Sequence, residues 1–65
     1  MSDISIYDLI GKRVRMIEMK GDPFPIEPGT EGIVLSVGMD VITVRWDDGR
    51  QLGMIWEVDE FEVIG

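Results

Sequence analysis

The clearest indications of the fold are the sequence PGTEGIV at residues 28–34 and the sequence VRWDDG at residues 44–49. Pro28-Gly29 fits the two central positions of a type II turn, in which glycine supplies a positive φ. Asp47-Asp48-Gly49 is a hairpin signal, because Asp and Gly tolerate the positive φ values that match the twist of paired strands. Together they predict a turn that leads into one strand and a second strand that ends in a hairpin.

Further short strands are predicted on both sides of these two segments. The run 41–46 is the most β-branched in the chain, and such residues favour strands. The five predicted strands span residues 12–19, 33–37, 41–46, 50–55 and 61–64. Prolines at 23, 25 and 28 exclude a ladder strand between the first two and favour extended backbone. A 3₁₀-like turn is expected at residues 56–60.

This pattern predicts an all-β fold, a small five-stranded SH3-like antiparallel barrel with a long first loop and a short N-terminal lead-in. A five-stranded OB-type barrel is the alternative, although it usually has longer strands and an inserted helix. Residues 1–65 form a single domain, with the lead-in at residues 1–10 and the barrel at residues 11–64. Ser2 or Asp3 is expected to cap one helical turn within the lead-in.

Composition limits the possible functions. The 65 residues include no cysteine and no histidine, and the net charge is −7. Disulfides and thiol chemistry are therefore excluded, and the commonest general base and metal ligand is missing. No apolar run approaches the ~20 residues that a membrane span needs, and Met1-Ser2-Asp3-Ile4 lacks the basic region of a signal peptide. We expect a cytoplasmic protein that does not bind a membrane.

The size of the domain leaves its oligomeric state open. A chain of this length buries only about 60% of its unfolded surface, so its stability is marginal unless something adds to it. With no disulfide, the remaining contributions are a dense core or self-association. A homo-oligomer therefore stays among the possibilities.

The charges are unevenly distributed. Lys12, Arg13, Arg15 and Lys20 lie close together, whereas acidic residues dominate the rest of the chain. A protein that follows phosphates needs clustered Lys and Arg, so no direct binding of nucleic acid is expected. The acidity is interpreted as a contribution to solubility. The alternative is an acidic face that meets a basic protein.

Nothing in the sequence predicts catalysis. No serine or threonine has a histidine to activate it, and the glycines do not form a phosphate-binding loop before a helix. The acidic residues of the second half have no dedicated metal-ligand spacing, so neither a metal nor another cofactor is expected. They are interpreted as a solvated acidic face and comprise Asp47, Asp48, Glu57, Asp59, Glu60 and Glu62. We therefore expect a non-enzyme.

The aromatic residues outside the predicted core are the candidates for partner binding. In SH3-like barrels, aromatics on the long first loop and near the turn before the last strand line a peptide groove. The candidate partner-binding residues are Tyr7, Phe24, Ile26, Trp56, Glu57, Asp59 and Glu60. The alternative is that Phe24 and Trp56 pack over one end of the barrel. Trp46 is expected in the core, with Asp47 capping the following turn and Glu31 in solvent.

The chain resembles a family of uncharacterised short proteins of bacteria, phages and mobile elements. The resemblance rests on a Gly-Thr-x-Gly-x-Val…Trp-Asp-x-Gly signature and covers residues 10–64. The matching positions are Val14, Ile17, Met19, Asp22, Pro23, Pro28, Gly29, Thr30, Gly32, Val34, Val44, Trp46, Asp47, Gly49, Leu52 and Asp59. The resemblance implies an SH3-like barrel and an origin in bacteria, phages or mobile elements, and it identifies no catalytic residue.

Three hypotheses of function follow, in order of preference. The first is a protein-interaction module that docks a partner protein or peptide through the long first loop and the region of Trp56. The second is a phage or mobile-element inhibitor whose acidic face occupies a host enzyme that handles nucleic acid. The third is an oligomer that sequesters a small anionic ligand through Arg13, Arg15 or Arg50.

Overall fold

The computed structural model describes residues 5–65, which form one 3₁₀ turn and five strands. The predicted capping residues Ser2 and Asp3 lie outside the described residues. The elements are η1 (Ile6–Leu9), β1 (Arg13–Glu18), β2 (Glu31–Gly38), β3 (Val41–Trp46), β4 (Gln51–Ile55) and β5 (Glu60–Val63). Among residues 5–65 the longest helical segment is this four-residue turn, so none of the described helices could cross a membrane.

The five strands pair antiparallel in one sheet, in the order β4-β3-β2-β1-β5. The predicted all-β class with five antiparallel strands is therefore confirmed, and this strand order is that of an SH3-like fold. The sheet bends without closing: within residues 5–65, no ladder joins β4 to β5. Both strands consequently have a free edge.

Buried and outward-facing residues alternate along the strands, and the buried ones form the core. In β3, Ile42, Val44 and Trp46 are buried, while the residues between them face outward. The Trp46 indole N–H donates a hydrogen bond to the Leu52 carbonyl at 3.0 Å, which satisfies its polar atom. The prediction that Trp46 is a core residue is correct. The other buried apolar residues are Leu9, Val14, Met16, Met19, Ile26, Val34 and Met54.

Two β-bulges interrupt this alternation. The β1–β5 register shifts between Met16 and Glu18, and the β2–β3 register shifts between Val34 and Ser36. A bulge places an extra residue in one strand and bends it. The extra residues, Ile17 and Leu35, are 45% and 42% exposed. Two large apolar side chains are thus presented to solvent from inside strands.

The predicted turns occur where expected, with one change of role. Gly29 and Gly49 have φ values of 93° and 95°, in the left-handed region that favours glycine. The hairpin turn is capped by Asp48, whose carboxylate accepts the Arg50 N–H at 2.9 Å. The prediction that Asp47 caps this turn is wrong, because the Asp47 carboxylate pairs with Arg13.

Local hydrogen bonds define η1 and the segment between β4 and β5. Ser5 caps η1: its hydroxyl accepts the Tyr7 N–H at 3.2 Å, and the Asp8 carboxylate accepts the Ser5 N–H at 3.1 Å. The segment between β4 and β5 is a hydrogen-bonded turn, as expected: the Val58 N–H donates to the Ile55 carbonyl three residues earlier, which is the bond of a 3₁₀-like turn.

Candidate functional site

An apolar groove lies between η1, the bulge of β1 and the segment from Trp56 to Val63. We call it the Trp56 groove. Its lining residues are Leu9, Ile17, Trp56, Glu57, Asp59, Glu60, Phe61 and Val63. Its volume is about 440 Å³, within the range of small-molecule and side-chain pockets. A smaller depression of about 270 Å³ continues it past Leu9 and Val63 toward Lys12.

Two aromatic rings form one wall of the Trp56 groove. The ring centroids of Trp56 and Phe61 lie 6.3 Å apart at an angle of 54°, a tilted arrangement that suits aromatic pairs. The backbone N–H of Trp56 donates to the Asp40 carbonyl at 2.7 Å, which continues the β3–β4 ladder. Phe61 lies opposite Met16 on β1. The backbone that carries both rings is therefore held by strand pairing.

Asp59 is a structural brace beneath the groove. Its side chain is only 6% exposed. One carboxylate oxygen accepts the Lys20 N–H at 2.7 Å, and the other accepts the Ile55 N–H at 2.8 Å. It thereby joins the start of the long first loop to the end of β4. The expectation that Asp59 is a surface charge for partner binding does not fit this burial.

We expect Asp59→Asn to destabilise the fold by about 2 kcal/mol, because a buried donor left unsatisfied costs about 1–3 kcal/mol. The asparagine oxygen can accept one of the two backbone N–H groups, whereas its NH₂ group faces the other as a second donor. Chemical denaturation would measure the loss. Glu60→Gln is the control, since the Glu60 side chain is about half exposed and exposed ion pairs contribute little. Equal stability of both variants would contradict the structural role of Asp59.

The rim of the groove carries negative charge. The Glu60 carboxylate pairs with the Lys20 ammonium at 3.2 Å. Glu57 is exposed and has φ of 69°, which an L-residue adopts rarely. Among residues 5–65, Glu57 makes no ion pair within 4.0 Å. Its carboxylate is therefore available to a cation that approaches the groove.

The structure brings together four of the seven candidate residues, namely Trp56, Glu57, Asp59 and Glu60. Phe24 is 75% exposed on the long loop, and Tyr7 is exposed on η1, but neither lines the Trp56 groove. Ile26 is 1% exposed and belongs to the core. The expectation that Ile26 contributes to a surface is therefore wrong, because packing against the sheet takes its side chain inside.

Sequence reasoning missed Leu9, Ile17, Phe61 and Val63 as lining residues. The sequence Glu60-Phe61-Glu62-Val63 alternates polar and apolar residues, and this pattern could have indicated an apolar face beside Trp56. No sequence signal marks the bulge that turns Ile17 outward.

The basic residues of β1 are neutralised on the outer face of the sheet. Arg13 pairs with Glu31 and Asp47, and Arg15 pairs with Glu31 and Glu62. The Arg15 guanidinium donates hydrogen bonds to the Glu62 and Glu31 carboxylates, and these bonds, that to Glu62 first, raise its pKa above the usual value. The expectation that Glu31 is a solvated turn residue is wrong, because Glu31 begins β2 directly opposite Arg15 and also pairs with Arg13.

The acidic residues do not converge within the described part of the chain. No group of three or more Asp, Glu, His or Cys side chains among residues 5–65 is arranged to hold a metal ion.

A comparison with protein families finds one match. The family described as "Domain of unknown function (DUF4314)" matches residues 7–64. No curated protein and no solved structure matches the chain.

Proposed function

This chain belongs to the DUF4314 family, and we propose that it is a non-catalytic protein-interaction module whose Trp56 groove docks a segment of a partner protein. The observation that carries the proposal is an open apolar groove with two paired aromatic rings beside Glu57, a carboxylate that makes no ion pair among residues 5–65. The segment of the long first loop that carries Phe24 is not part of this contact surface.

The shape of the groove favours a single apolar side chain as the anchor. Interfaces derive most of their binding energy from a few anchors that fill pockets, and aromatic residues are enriched among them. Trp56 and Phe61 are held by strand pairing, so little order has to be gained on binding. Ile17 and Val63 extend the apolar surface and are both substantially exposed.

The charge at the rim defines the second feature of the partner. Glu57 has no cation near it among the described residues, and the chain as a whole has a net charge of −7. Complementary charges raise the association rate and select partners. We therefore propose that the docked segment carries a Lys or Arg next to its apolar anchor.

Several features support a non-catalytic role in the cytoplasm without nucleic acid. The chain has neither histidine nor cysteine. The buried carboxylate of the groove, Asp59, accepts two backbone N–H groups and so has a structural role. Arg13 and Arg15, the centre of the basic cluster, are held in ion pairs with carboxylates, which leaves little positive charge for phosphates.

The acidic-face inhibitor is the second candidate function. Asp40, Asp48 and Glu57 support it, since they are exposed and make no ion pair among residues 5–65, although Asp40 and Asp48 lie beyond opposite ends of β3. In this proposal the chain comes from a phage or mobile element and occupies the basic groove of a host enzyme. The ligand-sequestering alternative has weaker support, because the Arg50 guanidinium donates to the Phe24 carbonyl at 2.6 Å.

A titration with defined peptides tests the docking proposal. The probes are two heptapeptides with a central tryptophan, one flanked by lysines and the other by glutamates. We expect the lysine peptide to shift the backbone amide signals of Ile17, Glu57 and Phe61 in a ¹H–¹⁵N spectrum, while the glutamate peptide leaves them unchanged. Shifts confined to Asp40 and Asp48 would instead favour the acidic-face inhibitor.

A matched pair of variants decides whether the groove itself binds. Ile17→Asp is expected to weaken binding of the lysine peptide by about 2 kcal/mol, because it places a charge in the apolar anchor site. Leu35→Asp is the control, since Leu35 is also a bulge residue of similar exposure but lies outside the groove. Equal affinity of the two folded variants would refute the docking proposal.

A further inference from the structure

The two free edges of the sheet are protected to different extents. β5, with the sequence EFEV, carries Glu60 and Glu62, and its ladder with β1 contains a bulge. β4, with the sequence QLGMI, has no charged residue and no proline, and its ladder with β3 is regular. Natural proteins block exposed edges with charges, prolines and bulges, because a bare edge can pair with another strand. β4 is therefore the edge open to strand addition.

Hydrogen bonding shows which groups of β4 are available. The Trp46 N–H donates to the Arg50 carbonyl, and the Trp56 N–H donates to the Asp40 carbonyl. Since bonding residues alternate along an antiparallel ladder, residues 52 and 54 bond to β3, and residues 51, 53 and 55 point to the free edge.

Ile55 is already satisfied at that edge. Its N–H donates to the Asp59 carboxylate at 2.8 Å, and its carbonyl accepts the N–H groups of Val58 and Asp59. Within the described residues, the open backbone groups of β4 are therefore the N–H and C=O of Gln51 and Gly53.

We propose that β4 pairs with β4 of a second copy of this chain, antiparallel about a two-fold axis at Leu52. In this register Gln51 lies opposite Gly53 of the second copy, and Gly53 lies opposite Gln51 of the second copy. Each such pair exchanges both of its backbone hydrogen bonds, so every open group of the two edges is satisfied. The missing side chain at Gly53 leaves room for the Gln51 side chain across the axis.

A second copy fits this edge for two further reasons. β4 is uncharged, so two chains that each carry a net charge of −7 can pair there without placing like charges opposite each other in the paired strands. A domain of this size also buries little surface by itself and gains from additional burial. The edge does not overlap the Trp56 groove, whose lining includes no residue of β4. The dimer and the docking function are therefore independent.

Sedimentation equilibrium of the full chain tests the proposal, from about 10 μM to about 1 mM at about 0.15 M salt. We expect the average mass to rise toward that of a dimer with concentration. Amide exchange of Gln51 and Gly53 should slow over the same range. A monomeric mass at every concentration would overturn the proposal.

Three variants locate the contact. Gln51→Pro removes a backbone N–H that points away from β3, and edge strands tolerate such a proline. We expect the association of the two copies to be at least about tenfold weaker, because each copy loses one hydrogen bond. Gln51→Glu, which keeps the backbone intact, should weaken it to a similar degree. Ser36→Glu adds the same charge at an exposed position of β2 and should change the association much less. Unchanged association of a folded Gln51 variant, or an equal loss in Ser36→Glu, would show that β4 is not the contact.

Discussion

Val44→Asp is expected to leave the protein unfolded at room temperature. Val44 is fully buried in the middle of β3, with Val34 of β2 and Leu52 of β4 as its neighbours in the ladder. A carboxylate there would have no partner, and burying such a group costs several kcal/mol. At about 0.1 kcal/mol per residue, the whole stability of a domain this small is comparable.

Circular dichroism and a one-dimensional proton spectrum measure this outcome. Val41→Asp is the matched control, because Val41 lies in the same strand but faces outward and is 39% exposed. We expect the control to remain folded, with dispersed amide signals. A dispersed spectrum for Val44→Asp itself would show that the core assignment is wrong.

Gly32→Ala is expected to destabilise the fold by about 3 kcal/mol, near the upper end for overpacking a core. A Cβ at this position would lie 2.6 Å from the Arg45 carbonyl oxygen, 2.8 Å from Val44 Cγ1 and 3.0 Å from Trp46 Cα. Two of these atoms belong to the backbone of β3, which ladders hold on both sides. The added methyl can therefore be accommodated only if β2 and β3 move apart.

Gly38→Ala is the control for this effect, measured by urea denaturation. Gly38 lies at the other end of β2, and no atom comes within 4 Å of a Cβ built there. Its φ is not positive, so alanine should be neutral or stabilise by a few tenths of a kcal/mol through the unfolded state. Equal losses in the two variants would mean that the loss of glycine itself, and not the close approach of β3, determines the effect.

The strands and turns could be predicted because their signals are local. The run 41–46 is predicted as a strand because it is the most β-branched in the chain, and β3 has the predicted bounds. The turn glycines at 29 and 49 were expected with positive φ, and they have it. In each case the types of a few neighbouring residues are sufficient to explain the local structure.

The candidate site was predicted only in part, because most of it depends on contacts between distant segments. The Trp56 region was identified, since Trp56 stands at the end of a strand beside acidic residues. The role of Asp59 was missed, because its two donors come from Lys20 and Ile55. Phe24 was grouped with Trp56 from the general plan of the fold, but its loop turns toward Arg50 at the β3–β4 hairpin.

The all-β class, the five strands, the turns between them and the scarcity of catalytic side chains can be predicted from the amino-acid sequence alone. These properties follow from residue type and from a period of two, which act over a few neighbouring positions. Contacts between distant segments establish the bulges that expose Ile17 and Leu35, the pairing of Arg13 and Arg15 with carboxylates, and the burial of Ile26 and Asp59. The bulges and the ion pairs depend on strand register, because one residue of shift moves a side chain to the opposite face of the sheet. The burial of Ile26 and Asp59, which lie outside the strands, depends on how their loops pack against the sheet.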